Sequence, residues 1–340
     1  MKIIITSIIA ILFTANVFSQ VFSENSKRGT TAAPFLSIGQ GARAIGMGSA
    51  FVAITDDPTA LYWNPAGITK VQGFGFVVDH TTWIADINYN FMALTYNLGN
   101  FGTIGASFTI SDVDEMSVTT VEEPDGTGEV FGVTDAVFSL AWAIDLTDNF
   151  SIGFNPKYIH QSIWRMSASA IALDLGVKYV TPFDGAILAM SITNFGPKMQ
   201  LSGATTQVLY DPDPNTSGNN SSIVANIQTD TWDLPLTFRV GVGYQPLKTE
   251  DNTITVSLDA LHLSDNYESL NVGAEYCYDD FISLRAGYKS LFLPDSEESF
   301  SLGFGLKQLV MGNIALKVDY AYQDFGRLSS IQKFTFGITF

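Results

Sequence analysis

The sequence predicts an all-β protein: a 14-stranded antiparallel transmembrane β-barrel with an N-terminal plug, or hatch, in its lumen. Three observations predict it. Fourteen segments alternate apolar and polar residues at period two, the mark of a strand with two unlike faces. Every second connection between them is a short turn, as a closed outer-membrane barrel demands. The chain also ends on KFTFGITF, an apolar strand that would be an aggregation hazard unless both of its edges were paired.

The elements follow in order. The chain opens on MKIIITSIIAILFTANVFS, with Lys2 before an apolar run from Ile3 to Phe13. Val17 and Ser19 then stand at the −3 and −1 positions of a cleavage before Gln20. Residues 1–19 read as a secretory signal peptide. The apolar run is shorter than the roughly 20 residues a spanning helix requires. Residues 20–70 do not alternate and form the expected plug; residues 71–340 form the barrel. Within the plug, Gly39, Gly41, Gly46 and Gly48 are expected to give flexibility. Asp57-Pro58 reads as a helix start, with Asp as cap and Pro at the first helical position. Asn64-Pro65-Ala66-Gly67 reads as the turn that stops this helix and feeds the first strand.

Strands are expected near 73–79, 87–97, 101–110, 134–144, 149–162, 168–180, 185–195, 234–246, 252–263, 268–278, 281–290, 299–308, 313–323 and 331–340. Several alternate cleanly. Ile171, Leu173, Leu175, Val177 and Tyr179 oppose Ala172, Asp174, Gly176 and Lys178. The connections NLGN, DLTDN, TPFDG, PLKTEDN, DD and LVMG are all short, and most carry turn residues. The two long connections, 111–133 and 196–233, both fall in the other set, which puts them on the extracellular side with both termini periplasmic. On the last strand, Phe334, Phe336, Ile338 and Phe340 face lipid. Tyr276, Tyr278, Tyr320 and Tyr322 suit the aromatic girdles.

Composition excludes other classes. Asp plus Glu number 34 against 17 Lys plus Arg, a net charge of −17, so the chain is no nucleic-acid binder. The single Cys277 rules out an internal disulfide framework. His80, His160 and His262 have no ligand spacing, and no G-x-S-x-G element occurs, so neither a metal, a cofactor nor a catalytic site is expected. Gly39-x-Gly41-x-x-Ala44 imitates half a dinucleotide fingerprint but lacks its βαβ setting.

The stretch GARAIGMGSAFVAITDDPTALYWNPAG resembles the N-terminal signature of the PorV/PorQ-type outer-membrane proteins, relatives of the FadL family of long-chain fatty-acid transporters. The resemblance implies a fourteen-stranded barrel with an N-terminal hatch. It also implies that the terminal aromatic Phe340 is the assembly signal of an outer-membrane protein. The plug residues expected to matter are Arg43, Asp56, Asp57, Trp63, Asn64, Pro65 and Gly67. Inward-facing charges are expected at Lys157, Asp174, Lys178, Arg239, Glu275, Arg285, Lys317 and Asp319, where Arg43 could meet Asp174 or Glu275.

Two functions stay open. A PorV/PorQ-type role implies service to type IX secretion in the outer membrane of a Gram-negative, Bacteroidetes-like bacterium, with secretion-system proteins or secreted cargo as partners alongside outer-membrane lipid. A FadL-like role implies uptake of hydrophobic small molecules through an apolar tunnel and a lateral opening, with Gly102 and Gly105 in the third strand as its kink. The polar inward faces favour the first. A surface lipid hydrolase, the enzymatic reading, has no site.

Overall fold

The computed structural model of the protein describes residues 27–340 other than positions 184 and 219. The signal peptide expected at 1–19 lies outside the described residues. Fourteen strands form the wall: β1 (Phe74–Thr82), β2 (Asn88–Asn97), β3 (Thr103–Asp112), β4 (Val133–Thr147), β5 (Phe150–Ile163), β6 (Met166–Val180) and β7 (Ile187–Phe195). They continue as β8 (Thr237–Lys248), β9 (Asn252–Leu263), β10 (Ser269–Tyr278), β11 (Ile282–Leu291), β12 (Phe300–Met311), β13 (Ile314–Asp324) and β14 (Ser330–Thr339). Each pairs antiparallel with its sequence neighbours. β14 returns to β1, with Thr335 opposite Asp79 and Phe336 opposite Val78, so no edge remains open at the chain end.

The alternation has the expected sense. On β14, Lys333 and Thr335 are buried toward the lumen while Phe334 and Phe336 are exposed toward lipid. The short turns gather at one end, between β2 and β3, β4 and β5, and so on; that end is periplasmic. The long connections rise from the other. Connection 196–236 carries a small hairpin, Gln207–Tyr210 with Ile223–Asn226.

Two expectations are corrected. β3 is not kinked: its ladder to β2 runs unbroken from Thr103 to Asp112, and its ladder to β4 from Thr103 to Ile110. A Cβ on Gly105 would lie 2.9 Å from Leu61, so this glycine makes room for the lumenal segment. Register shifts occur in other ladders, among them β6–β7, where Asn194 adopts a left-handed φ of 66° and the register shifts between Leu173 and Leu175. The second correction concerns the N-terminal side. The earliest described residues lie at the extracellular end: Arg28 donates to Asn266 Oδ1 (2.7 Å) and to the Pro294 carbonyl (2.8 Å). Thr31 reaches Asp265, and Ala32 N donates to Asp233 O at 2.8 Å. The sequence of this stretch has no periodicity that could have revealed these distant partners.

From there the chain descends through the lumen. It passes a 3-10 turn at Pro34–Ser37, the short helices α1 (Ala42–Gly46) and α2 (Ala60–Trp63), and a second 3-10 turn at Pro65–Lys70, then enters β1. Its apolar side chains pack inside the barrel. Phe35, Leu36 and Ile38 meet Tyr89, Val137 and Ile159 in the outer half; Leu61 and Ile68 meet Val77, Phe91 and Ala141 in another cluster.

Candidate functional site

Little of the lumenal segment's backbone is helical, so it must find hydrogen-bond partners away from water. The wall supplies them. Asp259 on β9 accepts from Phe51 N (2.7 Å) and Val52 N (3.0 Å). Lys178 on β6 donates to Thr55 O at 2.6 Å, Asn155 on β5 to Leu61 O at 2.9 Å, and Asn271 on β10 to Ser49 O at 3.3 Å. Asn64, wholly buried, accepts from Ala66 N and donates to Val52 O and Val177 O, each at 3.1 Å. It therefore stops α2, caps the next turn and ties it to β6. Asp57 accepts from Thr59 N at 2.9 Å, but the helix begins only at Ala60 with Thr59 at its cap position, so Asp57 and Pro58 shape the turn ahead of α2 and are not its cap and first residue.

Two glycines of the segment meet the wall closely: a Cβ on Gly46 would lie 2.9 Å from Gly303 and one on Gly48 2.5 Å from Tyr288 N. Met47 and Gly48 lie so close to β10 and β11 that a Cβ on Gly273 or Gly287 would come within 2.1 Å of their backbone. Pro65 and Ala66 lie equally close to Gly153 on β5, and Asn64 to Gly176 on β6. Gly67 packs on Thr55. Missing side chains on the wall thus form a track for the segment's backbone.

The inward charges divide into two groups. One is a chain of ion pairs. Arg43 meets Glu275 in two hydrogen bonds of 2.9 Å and also pairs with Asp56. Arg285 joins Glu275 (2.5 Å) to Asp319 (2.6 Å), and Lys317 joins Asp319 (3.5 Å) to Asp57 (3.7 Å). Asp174, the other expected partner of Arg43, belongs to the second group. It pairs with Lys157 at 2.8 Å and accepts from Asn194 N at 2.7 Å. Lys157 also reaches Asn194 Oδ1 at 2.5 Å. Arg239 sits over the rings of Tyr62 and Trp63, 5.8 and 5.5 Å from their centroids. Phe340 pairs its backbone with Phe74 at the periplasmic foot of the barrel, and the two rings meet at a tilt of 32° with centroids 4.9 Å apart. Asp79, Asn155 and Thr335 were not singled out by the sequence, although their inward register on β1, β5 and β14 marks them as lumenal.

Two spaces remain. Between the segment and the wall, a cavity of about 30 Å³ is lined by Phe35, Gln40, Tyr62, Asn155, Lys157 and Asp174, among others. Gln40 Oε1 and Asn155 Oδ1 are buried there without a hydrogen-bond partner among the described residues. On the periplasmic side a vestibule of about 700 Å³ is lined by Asp56, Asp57, Lys70, Cys277, Lys307 and Lys317, among others. The periplasmic space is thus far larger than the one between the segment and the wall in the outer half.

Comparison with known proteins agrees with this architecture. The solved CymD monoaromatic hydrocarbon channel matches with 14% identity and a TM-score of 0.56, over 89% of this chain and 98% of that one. A Pseudomonas aeruginosa FadL homologue matches with 12% identity and a TM-score of 0.53, over 89% and 98%. The Ralstonia pickettii toluene transporter TbuX matches with 12% identity and a TM-score of 0.55, over 88% and 97%. At such identities the likeness is one of fold. No curated protein matches the sequence significantly. Residues 22–212, more than half of the chain, match the family described as type IX secretion system protein PorV. Sequence and fold together place this outer-membrane barrel: the chain belongs to the PorV family.

Proposed function

We propose that the protein serves type IX secretion as a closed barrel in the outer membrane, meeting secretion-system proteins or secreted cargo at its extracellular rim. The lumenal segment, residues 20–70 in the sequence division, acts as a plug. Arg43, Asp57, Asn64 and the inward charges are its anchors. Export after removal of residues 1–19, in a Bacteroidetes-like host, fits the leader sequence and the family. The reading is of a non-enzymatic scaffold.

The observation that carries it is the tightness of the outer half of the lumen. Its cavity of about 30 Å³ suits water. An engineered cavity that takes benzene measures about 150 Å³ and is wholly apolar. Here Lys157, Asp174 and two unpaired amide oxygens line the space, and an apolar solute would leave them unsatisfied. The second reading, uptake of hydrophobic small molecules, is supported by the fold shared with hydrocarbon channels; the closed lumen and the unbroken β3 ladders oppose it.

The test is removal of the gene from a type IX-secreting host. Secreted cargo is measured in the medium and toluene uptake in whole cells. Loss of cargo release with unchanged toluene uptake is expected. Normal secretion with lost toluene uptake would reverse the two readings.

A further inference from the structure

The pairing of β1 with β14 is the one in the wall that joins strands from opposite ends of the sequence, so its closure carries the largest loop-closure cost. Its lumenal side is built unlike an ordinary strand pair. Thr81 faces Lys333 across the seam, and Asp79 faces Thr335. Asp79 is 0% exposed and Lys333 1%. Their ion pair, at 2.9 Å, crosses from one strand to the other, and Thr335 also donates to Asp79.

Neither charge is satisfied by the wall alone. Lys333 Nζ donates to Gly39 O at 2.6 Å. Asp79 Oδ2 accepts from Gly41 N at 3.1 Å, and Thr335 Oγ1 accepts from Ala42 N at 2.7 Å. Three successive contacts of the lumenal segment thus bridge the two strands. The segment's shape here is fixed. A Cβ on Gly39 would lie 2.8 Å from Ile45 and 3.0 Å from Trp63, and Gly41 holds a φ of +86°. The segment also runs from the extracellular loops to the periplasmic foot, pressed against glycines on β5, β6, β10 and β11, so a wall already closed would leave it no ready way in.

We propose that residues Gly39–Ala42 template the last step of barrel assembly: the β1–β14 seam closes on the folded lumenal segment, with Asp79 and Lys333 as the clasp. In a barrel without the segment these groups would face water and the two strands would lose the bonds that bridge them through Gly39, Gly41 and Ala42, so the folded segment favours the closed seam. The clasp residues act by positioning the strands.

The test uses the full chain with Cys277→Ser, refolded from urea into detergent micelles. One version carries His80→Cys and Phe334→Cys, register partners that both point outward across the seam. A control version carries Val242→Cys and Leu258→Cys, register partners across β8–β9. Disulfide yield is read after mild oxidation. With Lys333→Met, seam cross-linking should fall about tenfold or more, because stranding one member of a buried ion pair is strongly unfavourable. The control pair should stay within about twofold, as expected for a distant independent site. Lys333→Arg should restore most of the seam yield. Gly39→Val, which leaves the ion pair intact but displaces the segment, should lower seam cross-linking selectively as well. Unchanged seam cross-linking in Lys333→Met and Gly39→Val would overturn the proposal. An equal fall of both cysteine pairs would also overturn it, since the network would then support the barrel as a whole.

Discussion

Consider Gly176→Ala. The added Cβ would sit 2.0 Å from Asn64 Oδ1, 2.8 Å from Pro65 Cδ and 3.1 Å from Ala66 N. Asn64 is fully buried and cannot rotate away without losing its bonds to Ala66 N, Val52 O and Val177 O. Overpacking costs about 1–3 kcal/mol. Loss of the cap costs about 1 kcal/mol more, and each carbonyl stranded in the interior about 1–3 kcal/mol. Some of this is relieved by shifting the segment, so a net destabilisation of about 3 kcal/mol, local to residues 52–70, is a conservative figure. At about 1.4 kcal/mol per decade, that raises the local opening equilibrium roughly 100-fold. Amide hydrogen exchange in detergent micelles reads it directly: residues 52–70 should lose protection while the β8–β9 amides keep theirs. Gly337→Ala is the control. That glycine also faces the lumen, but its added Cβ would meet nothing closer than Lys317 Cβ at 3.6 Å. Equal protection in Gly176→Ala and the native protein would refute the view that the lumenal glycines exist for the segment. So would an equal loss in Gly337→Ala.

Other perturbations should behave as follows. An epitope placed directly ahead of Lys27 should be labelled on intact cells, and protease should clip within 113–132 or 196–236; labelling only after permeabilisation, with clips confined to 249–251, would invert the topology. Deletion of Phe340 removes its backbone pair and ring contact with Phe74, and should lower outer-membrane insertion and expose the chain to periplasmic proteolysis; normal insertion would make the terminal aromatic incidental. Arg43→Met should destabilise the lumenal segment by about 3 kcal/mol, since it strips Glu275 and Asp56 of a partner; unchanged exchange at 43–57 would contradict this. At the outer rim, hydrogen bonds from Arg327 hold the Glu297 carboxyl below the usual glutamate range. A carboxylate with a depressed pKa gives its stabilisation above the unfolded value, near 4.3, and loses it as pH falls through the lowered folded value. Protection factors at 326–328, with the intrinsic pH dependence of amide exchange divided out, should thus be flat from about pH 5 to 8 and fall only below about pH 4; a fall near neutrality would assign the tie to another group.

Much of the wall was legible because its two faces see different solvents. Period-two alternation located all fourteen strands to within a few residues, and loop-length parity oriented them. The lumenal segment was harder. Its apolar residues, Phe35, Leu61 and Trp63 among them, could be assigned to the interior, since they lie on no strand that could carry them into lipid. Which partner each would meet could not. Arg43 had two acids in prospect; it lies by Glu275, while Asp174 is held by Lys157 and the bulge at Asn194. Of the glycines read locally as flexibility, Gly46 and Gly48 are places where two backbones touch and Gly39 and Gly41 pack on side chains of the same segment, a property of tertiary contact that no local pattern encodes. The extracellular position of Arg28 depends on Asn266 and Pro294, more than 230 residues away, and nothing local announces it.

The central claim is that the lumen is shut in the resting protein. Conductance of the intact protein in planar lipid bilayers tests it most directly. A polar cavity of about 30 Å³ behind a vestibule of about 700 Å³ predicts a silent barrel, with no sustained steps of porin-like size at either polarity. A stable open pore in the unmodified protein would contradict the account.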